Sequence, residues 1–221
     1  MVYMTGDLHG DEFRLLQKVN SFTQEDILLV CGDFGFIFDN SARENRFLDK
    51  LEKLPCRIAF IQGNHENFPA IASYPQEEWH GGKIHRIRKN IMHLMQGQVF
   101  EIENKTYFTM GGAFSIDRAF RTEGKDFWPE EIPTQADFEE GRRNLLKHKN
   151  TVDVIVTHTG PALAYQLFGF DGHEEEWELM QFFSELEEKC NYGTWYFGHF
   201  HADRILTNKL IATYLYTYPI V

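Results

Sequence analysis

The chain has 221 residues, of which 43% are hydrophobic and 25% are charged, and this composition excludes a disordered, collagenous or coiled-coil protein. It carries 22 basic and 33 acidic residues, so its net charge is −11. A surface of that sign repels long polyanions, which disfavours a protein that binds duplex nucleic acid.

The first part of the chain alternates short apolar runs with amphipathic segments. A run of this kind that ends at glycine and a polar residue predicts a buried strand. Strands are predicted at Val2–Thr5, Ile27–Cys31 and Arg57–Ile61. Helices are predicted after residue 10, with Phe13, Leu16 and Val19 on one face, and over residues 41–54, with Phe47, Leu48 and Leu51 inward.

The middle of the chain consists of short runs broken by turns, which predicts antiparallel strands. These strands are Ile84–Ile87, Ile91–Met95, Val99–Ile102 and Tyr107–Met110. Residues 114–133 are polar, aromatic and irregular, and they predict an excursion over the surface.

The last part returns to helices and strands. Thr134 and Asp137 form a predicted capping box for a helix that runs to about Lys149. A second helix is predicted over Glu174–Cys190, with inward residues Trp177, Met180, Phe183 and Leu186. Further strands are predicted at Asp153–Thr157, Thr194–Phe197, Ile205–Leu206, Leu210–Tyr214 and Tyr216–Val221. The whole pattern favours one mixed α/β domain over residues 1–221, with two packed sheets and helices outside.

Residues of the types that bind metals follow the ends of five predicted strands. Because strand ends meet in one crevice of an open α/β sheet, these residues are expected to converge. Any one of them alone is explained as a turn residue or a packed histidine, but their recurrence favours a site. They are Asp7, His9, Asp33, Asn64, His65, His158, His199 and His201.

Asp, Asn and His without a thiolate suit Mn, Fe or Zn, and so many ligands suit two ions that share one carboxylate. Two divalent ions carry a charge of about +4 and two Asp carboxylates about −2, so the site would keep a positive excess. That excess favours a phosphate in the centre and a hydroxide between the metals. We therefore predict two divalent metal ions as cofactors and a small phosphorylated substrate as partner.

The chain resembles the calcineurin-like metallophosphoesterases, especially their small bacterial and phage-type members. The resemblance is carried by Asp7-Leu8-His9, Gly32-Asp33, Gly63-Asn64-His65-Glu66, His158 and Gly198-His199-Phe200-His201, which stand in the order of the family's motifs. It implies a four-layer α/β/β/α sandwich of two mixed β-sheets flanked by helices. It also implies a phosphodiesterase or phosphatase that uses a metal-bridging hydroxide for in-line attack.

The resemblance implies a role for each motif residue. Asp7, His9 and His201 would hold one metal ion, Asn64, His158 and His199 would hold the other, and Asp33 would bridge the two. His65 would act as the general acid, and both Asn64 and His65 would contact the substrate.

The sequence departs from the family pattern at Phe36, where many relatives carry an Asp that orients the catalytic His. Asp39, Glu66 and Asp117 are the candidates to replace it, and the sequence does not choose among them. Gln62 stands where protein phosphatases carry an Arg, which makes a dedicated phosphoserine phosphatase a weaker interpretation.

Two interpretations of residues 114–133 stay open. One is a surface loop packed by its own aromatic side chains. The other is a lid over the metals, in which Arg118 or Arg121 contacts the substrate phosphate and aromatic rings stack on the leaving group. The remaining histidines, which are His80, His85, His93, His148 and His173, are predicted to have surface or packing roles.

The sequence also bears on location and on other functions. No apolar run approaches the ~20 residues that span a bilayer, no signal peptide is expected, and Cys31, Cys56 and Cys190 form no CxxC pair, so a cytoplasmic protein is expected. A non-catalytic interaction module of the same fold is expected to have lost metal ligands, whereas this chain keeps them. A nuclease of the double-strand-repair type is disfavoured by the negative charge and the short chain.

Overall fold

The computed structural model describes all residues from 1 to 221, arranged around two mixed β-sheets. The first sheet has seven strands in the order β13-β1-β2-β3-β6-β5-β4. Its four central strands β1, β2, β3 and β6 run parallel, and the outer strands are antiparallel. The strands are β1 (Val2–Thr5), β2 (Ile27–Val30), β3 (Arg57–Phe60), β4 (Gln76–Trp79), β5 (Gly82–Arg88), β6 (Ile91–Leu94) and β13 (Tyr218–Pro219).

The second sheet has six strands in the order β11-β12-β10-β9-β8-β7. Its central strands β12, β10, β9 and β8 are parallel, and β7 and β11 pair antiparallel at the two edges. The strands are β7 (Gln98–Ile102), β8 (Lys105–Met110), β9 (Thr151–Thr157), β10 (Asn191–Phe197), β11 (Arg204–Ile205) and β12 (Leu210–Ala212).

Six α-helices accompany the sheets. None of them combines the length and the apolar character that a bilayer span requires. They are α1 (Glu12–Val19), α2 (Ala42–Leu51), α3 (Phe68–Ala72), α4 (Gln135–Lys147), α5 (Ala162–Phe168) and α6 (Trp177–Lys189). The predicted capping box of Thr134 and Asp137 is present at the start of α4.

Three buried apolar clusters divide the molecule into four layers. The central cluster joins the two sheets face to face, with Val2 and Leu29 from the first sheet and Val154 from the second. A second cluster packs α1 and α2 on the outer face of the first sheet. A third packs α4 and α6 on the outer face of the second sheet. The predicted α/β/β/α sandwich is confirmed.

Strand β2 shows why the parallel strands have continuous apolar sequences. Ile27 and Leu29 face the other sheet, while Leu28 and Val30 face the helices. Since successive side chains of a strand alternate between faces, a strand covered on both sides must be apolar at every position.

The predicted inward faces of two helices are correct only in part: Phe183 and Leu186 of α6 and Val19 of α1 are buried as predicted, but the first residue of each predicted face is exposed. In α6, Leu179, Phe182, Phe183 and Leu186 are buried, whereas Trp177 is 63% exposed. The prediction stepped by three residues, and at 100° per residue the nine residues from Trp177 to Leu186 turn the helix by about 180° to the opposite side. In α1, Phe13 is likewise exposed, and the inward residues are Leu15 and Val19, four residues apart.

Several short elements differ from the prediction. The sequence analysis found neither α3 nor α5, and it missed the exposed strand β4. The predicted strand over Tyr216–Val221 is reduced to the two residues of β13. Elements of two to seven residues contain too few positions to show a hydrophobic period.

Two of the remaining histidines form a buried pair beneath α3. His85 and His93 lie opposite each other on β5 and β6, with their Nδ1 atoms 3.0 Å apart. Burial lowers the pKa of His93 to about 3, and its Nε2 atom has no hydrogen-bond partner. Both rings are therefore packed as neutral side chains, as the predicted packing role requires.

We expect His93→Gln to weaken the dependence of stability on pH. The folded protein disfavours a proton on His93, whereas the unfolded chain accepts one near pH 6.5, so this residue lowers stability progressively as the pH falls from 6.5 towards about 3. The contribution amounts to up to about 1.4 kcal/mol per pH unit within that window. Urea denaturation at pH 7.5, 6 and 5 measures the free energy of unfolding of each variant. His80→Gln, which changes an exposed histidine, is the control. Parallel pH curves for His93→Gln and the wild type would contradict the assignment.

Candidate metal centre

The predicted metal ligands and His65 all follow the carboxyl ends of central strands. β1, β2 and β3 of the first sheet lead to Asp7, His9, Asp33, Asn64 and His65, while β9 and β10 of the second lead to His158, His199 and His201. Backbone hydrogen bonds tie these loops together, from Asp7 N to Gly32 O at 3.1 Å and from Gly198 N to His158 O at 2.8 Å. The polar residues that follow the strands of both sheets therefore lie together at one site.

The backbone around the site is strained. Five site residues lie in the left-handed region, which non-glycine residues enter at a cost on the order of 1 kcal/mol each. Their φ values are 51° for Asp7, 47° for His9, 50° for Asp33, 64° for His199 and 48° for His201.

Two glycines are needed because a carboxylate lies close to each of them, and not because of their backbone conformation. A Cβ at Gly63 would lie 2.1 Å from Asp33 Oδ1, and one at Gly198 would lie 2.6 Å from Asp7 Oδ2. Glycine at these two positions lets one strand end approach the carboxylate of another.

A first group of side chains surrounds one point. Ligand atoms of Asp7, His9, Asp33 and His201 all lie within 4.8 Å of one another. The Nε2 atoms of His9 and His201 are 3.0 Å apart. His9 Nε2 is 3.4 Å from Asp33 Oδ2, and His201 Nε2 is 3.7 Å from Asp7 Oδ1.

A second group adjoins the first. Asn64 Oδ1 lies 2.8 Å from His158 Nε2 and 3.2 Å from His199 Nδ1. His158 Nε2 is also 3.6 Å from Asp33 Oδ2. The Oδ2 atom of Asp33 is therefore within 4 Å of an imidazole nitrogen in each group.

Hydrogen bonds to the protein orient these ligands. His158 Nδ1 donates to Cys31 O at 2.8 Å, so the Nε2 atom of the neutral ring carries a lone pair. Asn64 Nδ2 donates to Ser115 Oγ at 2.9 Å, and that hydroxyl in turn donates to Glu131 Oε2 at 2.6 Å. The amide thus turns its oxygen, Oδ1, towards His158 Nε2.

The arrangement of these atoms fits divalent cations. Asn64 Oδ1 lies against His158 Nε2 and His199 Nδ1, and Asp7 Oδ2 is buried with no hydrogen-bond partner. Lone pairs that converge in this way are stabilised when a cation lies among them. The donor set of carboxylate, amide and imidazole suits Mn, Fe or Zn.

The electrostatics of the site also favour cation binding. Burial and the charge of Asp33 raise the pKa of Asp7 well above its usual range. Burial also acts to raise the pKa of Asp33, but the imidazoles of His158, His65 and His9 hold it at about 2. Loss of hydration lowers the pKa of His9 to about 4 and that of His199 to about 3. His9 and His199 are accordingly neutral near pH 7, with lone pairs free to bind metal.

His65 lies beside both groups. Its backbone N–H donates to Asp33 Oδ1 at 2.8 Å, and its ring is 5.4 Å from that of His9. Desolvation lowers the pKa of His65, and the charge of Asp33 opposes this shift. The ring opens into a cleft of about 700 Å³ that Asp33, Asn64 and His199 also line.

The three carboxyl groups considered as partners of His65 lie in different places. Glu66 is buried and accepts from the backbone N–H groups of Phe34 and Gly35. Asp39 is exposed and accepts from Ser41 N. Asp117 lines the same cleft as His65.

Residues 114–133 fold into an ordered loop against the site. Arg118 lies 3.1 Å from the buried Glu131 Oε1, and Arg121 makes two hydrogen bonds of 2.8 and 2.7 Å to Asp117. Neither arginine lines the cleft. Among the loop aromatics, Phe127 and Trp128 are buried. Substrate contact by the two arginines therefore stays a prediction.

Two supporting residues were missed by the sequence analysis. Ser115 orients Asn64 as described above, and Arg14 donates to the carbonyl oxygens of Gly6, Asp7 and Tyr214 beneath the first group. Neither belongs to a recurring motif. Only the folded chain brings them to the site.

Comparison with known proteins identifies a family and several similar solved structures. A family model described as calcineurin-like phosphoesterase matches residues 1–203. A comparison with curated proteins finds no significant match.

Of the solved structures, a candidate 5′-nucleotidase from Staphylococcus aureus, in complex with alpha-ketoglutarate, is 16% identical, with a TM-score of 0.49. The alignment covers 96% of this chain and 48% of that one, so this chain spans about half its length. A protein of unknown function from Aquifex aeolicus is 18% identical over 81% of this chain and 92% of that one, with a TM-score of 0.38. Neither similarity bears on the chemistry of the site.

We expect Ser115→Ala to weaken Mn²⁺ binding. Without the hydroxyl, the side-chain amide of Asn64 loses the acceptor that orients it, and losses of this kind typically lower metal affinity 10–100-fold. Isothermal titration calorimetry of the metal-free protein measures the change. Ser184→Ala, which removes an exposed hydroxyl from α6, is the matched control. Equal affinities for the two variants would show that Ser115 does not orient the ligand.

Proposed function

The chain belongs to the calcineurin-like phosphoesterase family, and on that premise we propose that residues 1–221 act as a single-domain, dinuclear metal-dependent phosphoester hydrolase. The observation that carries this proposal is the pair of ligand groups that share Asp33, whose Oδ2 is 3.4 Å from His9 Nε2 and 3.6 Å from His158 Nε2. Family membership supports the coarser statement, phosphoester hydrolysis.

Each ligand group would hold one divalent ion. Asp7, His9 and His201 would bind the first, Asn64, His158 and His199 would bind the second, and Asp33 would bridge them. When bound, two such ions would stabilise negative charge on the phosphoryl oxygens and make an attacking water more acidic. The burial of Asp7 and Asp33 keeps their charge close to the ions, where water screens it little.

His65 would protonate the leaving oxygen. It lines the cleft beside both ligand groups, and its backbone N–H donates to Asp33, which holds the backbone of His65 next to the metal site. An imidazolium in that position would give its ring proton to the oxygen that departs from phosphorus. The side chain of Asn64 would lie close enough to the substrate phosphate to help orient it. Arg118 and Arg121 are proposed as further phosphate contacts that require their present ion pairs to open.

We further propose Asp117 as the carboxylate that orients His65 in place of the residue replaced by Phe36. Asp117 is the one of the three candidates that shares the cleft with His65. A hydrogen bond from Arg121 lowers the pKa of Asp117, so the group is ionised. Its negative charge would stabilise the imidazolium form of His65.

We expect Asp33→Ala and His65→Ala to separate metal binding from chemistry. Asp33→Ala removes the shared ligand, so both Mn²⁺ binding and hydrolysis of bis(p-nitrophenyl) phosphate or its monoester should be lost. His65→Ala should keep the metals and lose about 10²–10⁴-fold in kcat, the usual contribution of a general acid.

Metal content after dialysis and steady-state kinetics with Mn, Zn, Fe and Ni measure the two effects, and the exposed His80→Ala is the control. If the wild-type protein bound no transition metal and hydrolysed no phosphoester, the proposal would be refuted. The alternative of a non-catalytic interaction module with the same fold would then be favoured.

We expect Asp117→Asn to lower kcat about 10-fold or more without changing metal affinity or KM, because the imidazolium loses its partner while the metal ligands stay in place. Asp117→Glu should restore part of the rate, and Asp39→Asn should have no effect. An unchanged kcat for Asp117→Asn, or an equal loss for Asp39→Asn, would exclude Asp117 as the positioning residue.

A further inference from the structure

Part of the cleft beside the metal centre is apolar. Phe114, Ile116, Phe170 and Phe200 line it, and we call these four residues the apolar wall. They come from three separate segments of the chain. Ile116 is 75% exposed and Phe170 is 57% exposed, although both are large hydrophobic side chains. Exposed apolar surface that lines a cleft, in contrast to apolar residues scattered singly over the surface, is typical of a binding site.

The rings of the apolar wall are held in place by other aromatic side chains. Phe200 stacks on Phe168 with ring centroids 4.6 Å apart and planes inclined by 6°. Phe170 is nearly parallel to Phe200, at 6.1 Å and 10°. Tyr165 contacts Phe200 edge-on at 5.0 Å. A planar ligand that stacked on Phe170 would therefore meet a ring whose orientation is set before binding.

The position of Phe200 connects the apolar wall to the reacting centre. It lies between His199 and His201, the last two predicted metal ligands, and its ring is 5.5 Å from that of His199. A phosphoryl group at the metal centre would place its ester substituent within reach of this ring.

The side chains that line the cleft provide little positive charge. No lysine or arginine lines it, and Asp117 and Asp171 add negative charge beyond the metal ligands. The two nearest loop arginines are paired with Asp117 and Glu131. While those two ion pairs stay closed, the metal ions would supply most of the positive charge around the phosphate, so a second anionic group on the substrate would be disfavoured.

We propose that this cleft selects phosphoesters with a single phosphate group and an uncharged, planar aromatic substituent, which packs on Phe170 and Phe200 while the phosphate occupies the metal centre. The inference rests on the proposed function and specifies its substrate class. An aliphatic substituent of equal charge could not stack on these rings and would bind more weakly. A second anionic group would lie close to the carboxylates of Asp117 and Asp171 and would be repelled by them.

Non-hydrolysable phosphonates test the proposal by calorimetry on the Mn²⁺-loaded protein. Phenylphosphonate should bind about 10-fold or more tightly than methylphosphonate, and 4-carboxyphenylphosphonate, which adds one negative charge to the same ring, should bind more weakly than phenylphosphonate. Phe170→Ala should bring phenylphosphonate close to methylphosphonate and leave inorganic phosphate unchanged. Because Phe170 is 57% exposed, the variant should fold. Phe13→Ala, which truncates an exposed Phe of α1 outside the cleft, is the matched control.

The outcomes separate the two proposals. Equal affinities of the wild type for phenylphosphonate and methylphosphonate would overturn the aromatic selection alone, and so would a preference that survives in Phe170→Ala. An added carboxylate that improves binding would overturn the exclusion of anionic substituents. If inorganic phosphate itself failed to bind the Mn²⁺-loaded protein, the metal centre of the proposed function would be refuted first.

Discussion

The repulsion between Asp7 and Asp33 is the constraint on which the site depends. Both carboxylates are buried, and their oxygens lie within 4.8 Å of each other and of two imidazole nitrogens. A backbone N–H group donates to each, from His199 to Asp7 and from His65 to Asp33, both at 2.8 Å. These donors do not satisfy Asp7 Oδ2. The remaining negative charge is what divalent cations would offset.

The site also depends on the packing of the two sheets against each other. The first sheet supplies both carboxylates and Asn64, and the second supplies His158, His199 and His201. Their relative position is set by the central apolar cluster, which contains Cys31 at the end of β2 and Val156 in β9. His158 then donates to Cys31 O across the junction of the sheets. Ligand geometry and core packing are therefore parts of one structure.

The sequence predicts local features well and tertiary neighbours poorly. The recurrence of polar residues after apolar runs located Asp7, Asp33 and His158, because strand ends are a local property that parallel pairing brings together. The buried faces of α1 and α6 were predicted only in part, with Phe13 and Trp177 wrongly placed inward, because a three-residue spacing does not stay on one side of a helix. Ser115, Arg14 and Phe170 carry no local signal, since their positions beside the site arise only from long-range packing.

The left-handed backbone at five ligand positions has a consequence for how such chains diverge. A conformation that glycine adopts freely is occupied here by Asp7, His9, Asp33, His199 and His201, so the backbone at each position gives up folding stability for a side chain of the proposed metal site. Once selection for metal binding is relaxed, replacement by glycine relieves the backbone at these positions. A descendant that keeps the architecture but has abandoned catalysis should thus accumulate glycine at these five sites, which distinguishes it by inspection from a working relative.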